Sequence, residues 1–141
     1  MDAFGHFVAA QAAIYPAMEA ELAAGRKLTH WMWFVFPQLD GLGHSPMARG
    51  FALHSLAQAR SYWRHPVLGP RLAQCTALVN SVSGRTVSQI FGSPDDLKFH
   101  SSMTLFALAV PDHGAFRDAL QKYFDGAPDS ATMALLGDPH A

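Results

Sequence analysis

The sequence holds one cysteine in 141 residues, Cys75, so it forms no intramolecular disulfide and reads as the product of a reducing compartment. It also lacks an excess of charge. Ten Lys and Arg stand against eleven Asp and Glu, a formal net charge of −1. Such a balance gives no long-range pull on nucleic acid or an anionic membrane, so no extended nucleic-acid surface is expected. A local pocket can still hold an anion. No apolar run nears the roughly 20 residues that span a bilayer; the longest candidate, Met103 to Val110, is far shorter. The opening stretch MDAFGHFVAAQAAIYPAMEAE has no basic n-region and acquires acids at Glu19 and Glu21. It reads as an amphipathic helix and not a signal peptide, which makes the cytoplasm the default location. Nothing in the composition sets an oligomeric state.

Signatures of specific chemistries are missing too. There is no H-E-x-x-H, no cysteine pair, no P-loop and no G-x-S-x-G, and Gly41-Leu42-Gly43 is too little for a nucleotide fingerprint. The eight histidines, His6, His30, His44, His54, His65, His100, His113 and His140, are scattered along the chain. A metal site could be assembled only in space, and neither a metal nor a cofactor is expected. Cys75, inside an apolar helical stretch, reads as a small buried hydrophobe and not a nucleophile.

What is present is a core. Half of the residues are hydrophobic and 15% are charged, the composition of one globular domain over residues 1–141. Phe4, Phe7, Gln11, Ile14, Met18 and Leu22 recur at helical spacing, with Gly25 as a stop and Pro16 expected to kink or divide the element. Residues 29–38, THWMWFVFPQ, fit either a buried strand or two helical turns capped by Thr29 and stopped by Pro37. Ser45-Pro46 and Ser55 start two helices, the second ended by Pro66, and Gly69-Pro70 lead into a helix over 71–80. Thr86 caps a brief turn closed by Gly92. Ser93-Pro94-Asp95-Asp96 predicts a helix running to about Ala109, with Ser93 as cap and Pro94 first. Further helices end near Gly126 and begin at Asp129. Strand-type alternation is nowhere sustained, so the fold class is all-α.

Three segments carry candidate chemistry. In HWMWFVFPQ, Trp31 and Trp33 suit a pocket wall that stacks a flat ligand or, equally, an ordinary core, and Gln38 either orients a ligand or ties off the backbone after Pro37. Gln11 lies on an apolar stripe, where a buried amide must be hydrogen-bonded. It either braces a neighbouring loop or points into a site. In residues 93–106, Asp95 and Asp96 sit in a first helical turn, and Lys98 and Ser102 share a face. They could supply an acid-base pair or polar ligand contacts, although first-turn acids are also what capping alone selects. Around RSYWRHPVLGPRL, Arg60, Arg64, His65 and Arg71 could pin a phosphate or form a solvated face. Arg49 is similarly open.

Together, AQ at 10–11, HWMWFVFPQ at 30–38, GLGHSPMAR at 41–49, HPVLGPRL at 65–72 and IFGSPDDLKFHSSMTLF at 90–106 resemble the bacterial domain-of-unknown-function family eighteen-ten, as does the ending LLG at 135–137. The resemblance covers nearly the whole chain and implies a small, mainly helical protein with no established activity. Such proteins often carry the label calpastatin, but that inhibitor is disordered and this composition is that of a folded core. A shorter, gapped likeness, falling on Gly69, Arg71, Asp96, Lys98 and Met103, is similar to the superfamily that handles NAD, ADP-ribose and related N-glycosides. That likeness implies a nucleotide- or ADP-ribose-like ligand and hydrolysis of its N-glycosidic bond. Asp96 and Lys98 would then be catalytic, with Gln11, Trp31, Trp33, Gln38, Arg71 and Ser102 binding ligand. The alternatives are a non-catalytic small-ligand module built from the same residues and a protein-interaction module with exposed aromatic side chains.

Overall fold

The computed structural model describes residues 3–137, so His140 lies outside the described residues. Among them are nine helices: α1 (Gly5–Ala23), α2 (Met32–Val35), α3 (Pro46–Gly50), α4 (Leu56–Arg64), α5 (Leu68–Ser81), α6 (Val87–Phe91), α7 (Asp95–Ala109), α8 (Ala115–Phe124) and α9 (Ser130–Leu136). The described residues form no strand, only an isolated parallel bridge between Leu39 and Leu53. The fold is all-α, as the sequence predicts. No described helix is long and apolar enough to cross a membrane.

Local cap chemistry sets four of the starts. Ser45, Ser55, Thr86 and Asp129 accept the backbone N–H of the third helical residue in α3, α4, α6 and α9. At α6 the Gln89 side chain returns the bond to the Thr86 N–H, completing a capping box. Where the sequence reading fails, a tertiary partner has claimed the group. Thr29 does not cap α2; Trp31 stands at that position, and the Thr29 hydroxyl donates to Glu21 Oε2 at 2.7 Å. Residues 29–38 give a single helical turn, neither a strand nor two turns. Ser93 does not cap α7 either. Pro94 occupies the cap position, and the Asp96 N–H is taken by the Gly92 carbonyl at 2.8 Å. Pro16 does not divide α1, which runs on through it. Pro16 and Ala12, whose carbonyl it leaves without a helical donor, are both exposed, so water can serve that carbonyl. Gly69 and Pro70 lie within α5 and do not precede it.

The core is built around α7, which packs against α2, α4, α6, α8 and α9, while α1 lies against α2 and α5. Six consecutive residues, Ser101 to Phe106, are buried, so this helix is enclosed on every side over more than one turn. Ridges of aromatic rings lock it in place. Phe99 stacks on Phe91 with centroids 4.7 Å apart and meets Phe36 edge-on at 5.1 Å. On the opposite side Phe106 meets Tyr62 at 5.6 Å, and Tyr62 contacts Phe4 and Phe7 of the N-terminal segment.

Candidate functional site

The segment between α1 and α2 is fixed by one buried carboxylate. Glu21 Oε1 accepts the Leu28 N–H at 2.7 Å, the Thr29 N–H at 2.9 Å and Trp31 Nε1–H at 3.0 Å, while Oε2 takes the Thr29 hydroxyl. Burial alone would raise the Glu21 pKa. The four donors outweigh it and hold the carboxyl at about 2, below its ordinary 4.5. Trp31 is thereby placed wholly in the core and is not among the residues that line the cavity beside α7. Gln11 is also internal: its amide donates to the Phe34 carbonyl at 2.6 Å and to the Tyr62 hydroxyl at 3.0 Å. It braces the α2 turn from behind.

Helix α2 delivers Trp33, and the segment beyond it Gln38, toward the N-terminal half of α7. Lys98 sits over the Trp33 ring, 5.0 Å from its centroid, and pairs with Asp95 at 3.2 Å. Asp95 is shared, since its other oxygen is 2.8 Å from Lys27 Nζ. Two ammonium groups therefore face one carboxylate. Gln38 is 8% exposed, and its carboxamide makes no hydrogen bond to the protein among the described residues.

Gln38 and Lys98 open into one cavity of about 340 Å³. Gln38, Leu42 and Gly43 form one wall, Pro94, Leu97, Lys98 and Ser101 the second, and Asp129 with Ala131 the third. Gly43 is required here. A Cβ on it would lie 2.6 Å from Ala48 Cβ and 3.3 Å from Gln38 Nε2, so glycine lets the loop press against α3 while leaving the Gln38 amide its place. The lining is mostly apolar, and Gln38, Lys98, Ser101 and Asp129 are its polar residues, a make-up that suits a small-molecule pocket.

The remaining sequence candidates lie elsewhere. Asp96 is outside the cavity; it accepts the Ser88 hydroxyl at 2.7 Å and the Leu97 N–H at 2.9 Å, tying α6 to the start of α7. Arg71 lies over the Tyr15 ring at 5.0 Å and reaches Gln11 Oε1 at 3.4 Å, on the α1–α5 face. Arg60 donates to the Ala109 carbonyl at the end of α7. Ser102 is fully buried, and its hydroxyl has no partner among the described residues. Cys75 is buried against Met18 with its sulfur 3.6 Å away, and burial pushes its thiol up to about 12. Among the described residues no group of three His, Cys, Asp or Glu side chains could hold a metal ion. Of the eight proposed site residues, then, Gln38 and Lys98 share the cavity and Trp33 supports Lys98. Asp129, a lining residue, was legible in the sequence only as the start of the last helix. Leu42, Leu97 and Ser101 gave no signal beyond helical spacing and loop composition.

Comparison with known proteins places this architecture. The family described as "protein of unknown function (DUF1810)" matches residues 2–136. The chain is similar to the crystal structure of the conserved hypothetical protein Rv1873 from Mycobacterium tuberculosis. The two are 55% identical, with a TM-score of 0.91 over 93% of this chain and 94% of that one. Among curated proteins no relative matches.

Proposed function

The chain belongs to the DUF1810 family, and from that premise we propose that it is a binding module for a small anionic ligand of the nucleotide type, seated between the 38–43 loop, α7 and α9. The observation that carries this reading is Gln38. The residue is 8% exposed and its carboxamide is unbonded to the protein among the described residues, so its donors and acceptor are left for whatever occupies the cavity that Gln38 lines. Lys98 is the cationic side chain of the lining, and it holds its Asp95 partner jointly with Lys27, which leaves part of the Lys98 charge for an anion. The cavity volume is at the small end of the range of about 300–1,000 Å³ for ligand pockets. It fits a single nucleoside or sugar-phosphate unit better than a dinucleotide. Aliphatic side chains of Leu42 and Leu97 would cover the apolar part.

Hydrolysis of an N-glycosidic bond on Asp96 has no comparable support, because that carboxylate is occupied by Ser88 and Leu97 outside the cavity. The test is a thermal-shift titration of the purified protein with AMP, ribose 5-phosphate, adenosine, NAD and ADP-ribose. AMP and ribose 5-phosphate should stabilise the protein and adenosine should not. A ligand at about a hundred times its Kd adds about 2.7 kcal/mol, which is readily seen. Lys98→Met and Gln38→Leu should remove the shift, and Asp96→Asn should leave it intact. A shift that survives Lys98→Met and Gln38→Leu, or no shift with any compound, refutes the reading.

A further inference from the structure

Asp129 enters the fold as the cap of α9, but its two oxygens are used unequally. Oδ2 accepts the Thr132 N–H at 2.9 Å, the Thr132 hydroxyl at 2.6 Å and the Ser101 hydroxyl at 3.2 Å. Ser101 has a single hydroxyl hydrogen, and it divides that between Asp129 and the Leu97 carbonyl at 3.0 Å. Oδ1 has no donor among the described residues, and Asp129 is half-buried in the cavity wall. Capping needs one oxygen. An ionised carboxylate can accept about four hydrogen bonds, and the unused capacity lies on the oxygen that the helix does not need.

The cavity therefore has polar lining residues of both kinds. Lys98 on α7 offers only donors, Asp129 offers only acceptors, and Gln38 offers both. An anion with no donors of its own would meet Lys98 favourably and Asp129 unfavourably. A molecule carrying an anionic group at one end and hydroxyl donors at the other satisfies both walls.

We propose that Asp129 is a second ligand-binding residue, whose free Oδ1 accepts the vicinal hydroxyls of a ribosyl phosphate while Lys98 holds the phosphate. This assignment rests on the binding function proposed above and narrows its ligand class to hydroxyl-bearing sugar phosphates. Phosphate alone is a poor ligand, because the carboxylate across the cavity repels it.

The experiment compares AMP with 2′,3′-dideoxy-AMP by calorimetric titration of the wild-type protein and of Asp129→Asn, Asp129→Ser and Lys98→Met. Asn and Ser both keep a capping oxygen for α9, so the fold is retained. Far-ultraviolet circular dichroism checks that directly. Wild type should bind AMP at least about tenfold more tightly than the dideoxy compound, the value of a hydrogen bond to a charged acceptor. Asp129→Asn should reduce that ratio, and Asp129→Ser, with a side chain too short to reach the sugar, should bring it to about one. A wild-type ratio near one, or a ratio unchanged in both Asp129 variants, overturns the Asp129 assignment while leaving the Lys98 site standing. Binding of neither compound to wild type, or binding indifferent to Lys98→Met, overturns both.

Discussion

Replacing Glu21 by Gln tests how the approach to the site is held. The carboxylate receives four donors and offers none, so all four bonds depend on its being an acceptor at both oxygens. Gln keeps one carbonyl oxygen but presents an NH2 group to a cluster made only of donors. The folded-state pKa near 2 against an ordinary 4.5 sets the scale. At about 1.4 kcal/mol per pH unit, the ionised group contributes about 3 kcal/mol to the folded state at pH 7. The sign follows from the depression. Protonation favours the unfolded chain, so the contribution is fully present above pH 4.5 and is lost as pH falls through about 2. At pH 3 about 1.4 kcal/mol should remain. Urea unfolding of wild type and Glu21→Gln at pH 7, 5 and 3 measures the difference, and the other carboxylates cancel in the subtraction. The variant should be about 3 kcal/mol less stable at pH 7, with the gap narrowing as the pH falls. A gap under about 0.5 kcal/mol at pH 7, or one constant across the series, refutes the assignment of the loop's anchorage to this carboxylate.

Other positions give sharp expectations. A Cβ on Gly69 would lie 2.0 Å from the Trp63 carbonyl oxygen, so Gly69→Ala must move α5 away from the end of α4; calorimetric or urea unfolding should show a loss of about 3 kcal/mol or more. Gln11→Leu strands the Phe34 carbonyl and the Tyr62 hydroxyl in the core and should cost about 1–3 kcal/mol in the same assay, while leaving ligand titrations unchanged. Cys75 should react with an aromatic disulfide reagent only as fast as the protein unfolds, because it is buried and its thiol is held at about 12. Rapid labelling in native buffer would contradict that placement.

Helix starts were legible where a side chain acts on its own neighbouring backbone, as at Ser45, Ser55, Thr86 and Asp129. Thr29 carries the same chemistry, but Glu21 competes for its hydroxyl from eight residues away, and no local pattern announces that. The site was half legible for a similar reason. Gln38 stood out in an aromatic and aliphatic segment and Lys98 on a helical face shared with Ser102, and both line one cavity. Trp31 and Gln11 stood out equally and turn inward, since helical spacing fixes a face but not what covers it. Asp96 and Asp95 are adjacent acids with separate tasks, one tied to Ser88 and the other set between two lysines. Asp129 illustrates the converse: read only as the start of the last helix, it drew no notice as a residue of the cavity wall.

The walls of the cavity differ in how they can open. On α7, Ser101 to Phe106 are buried in succession, so their amides should exchange with solvent only when the whole domain unfolds. Helix α9 has seven residues, of which Thr132 alone is buried, and the facing loop contains Gly41 and Gly43. These walls should detach at a much lower free energy, through sub-global openings that leave α7 untouched. A molecule gripped between Gln38, Lys98 and Asp129 would enter and leave by that movement, and α7 would act as the fixed jaw. Its binding should slow hydrogen exchange across residues 130–136 and leave the α7 amides at their original rates.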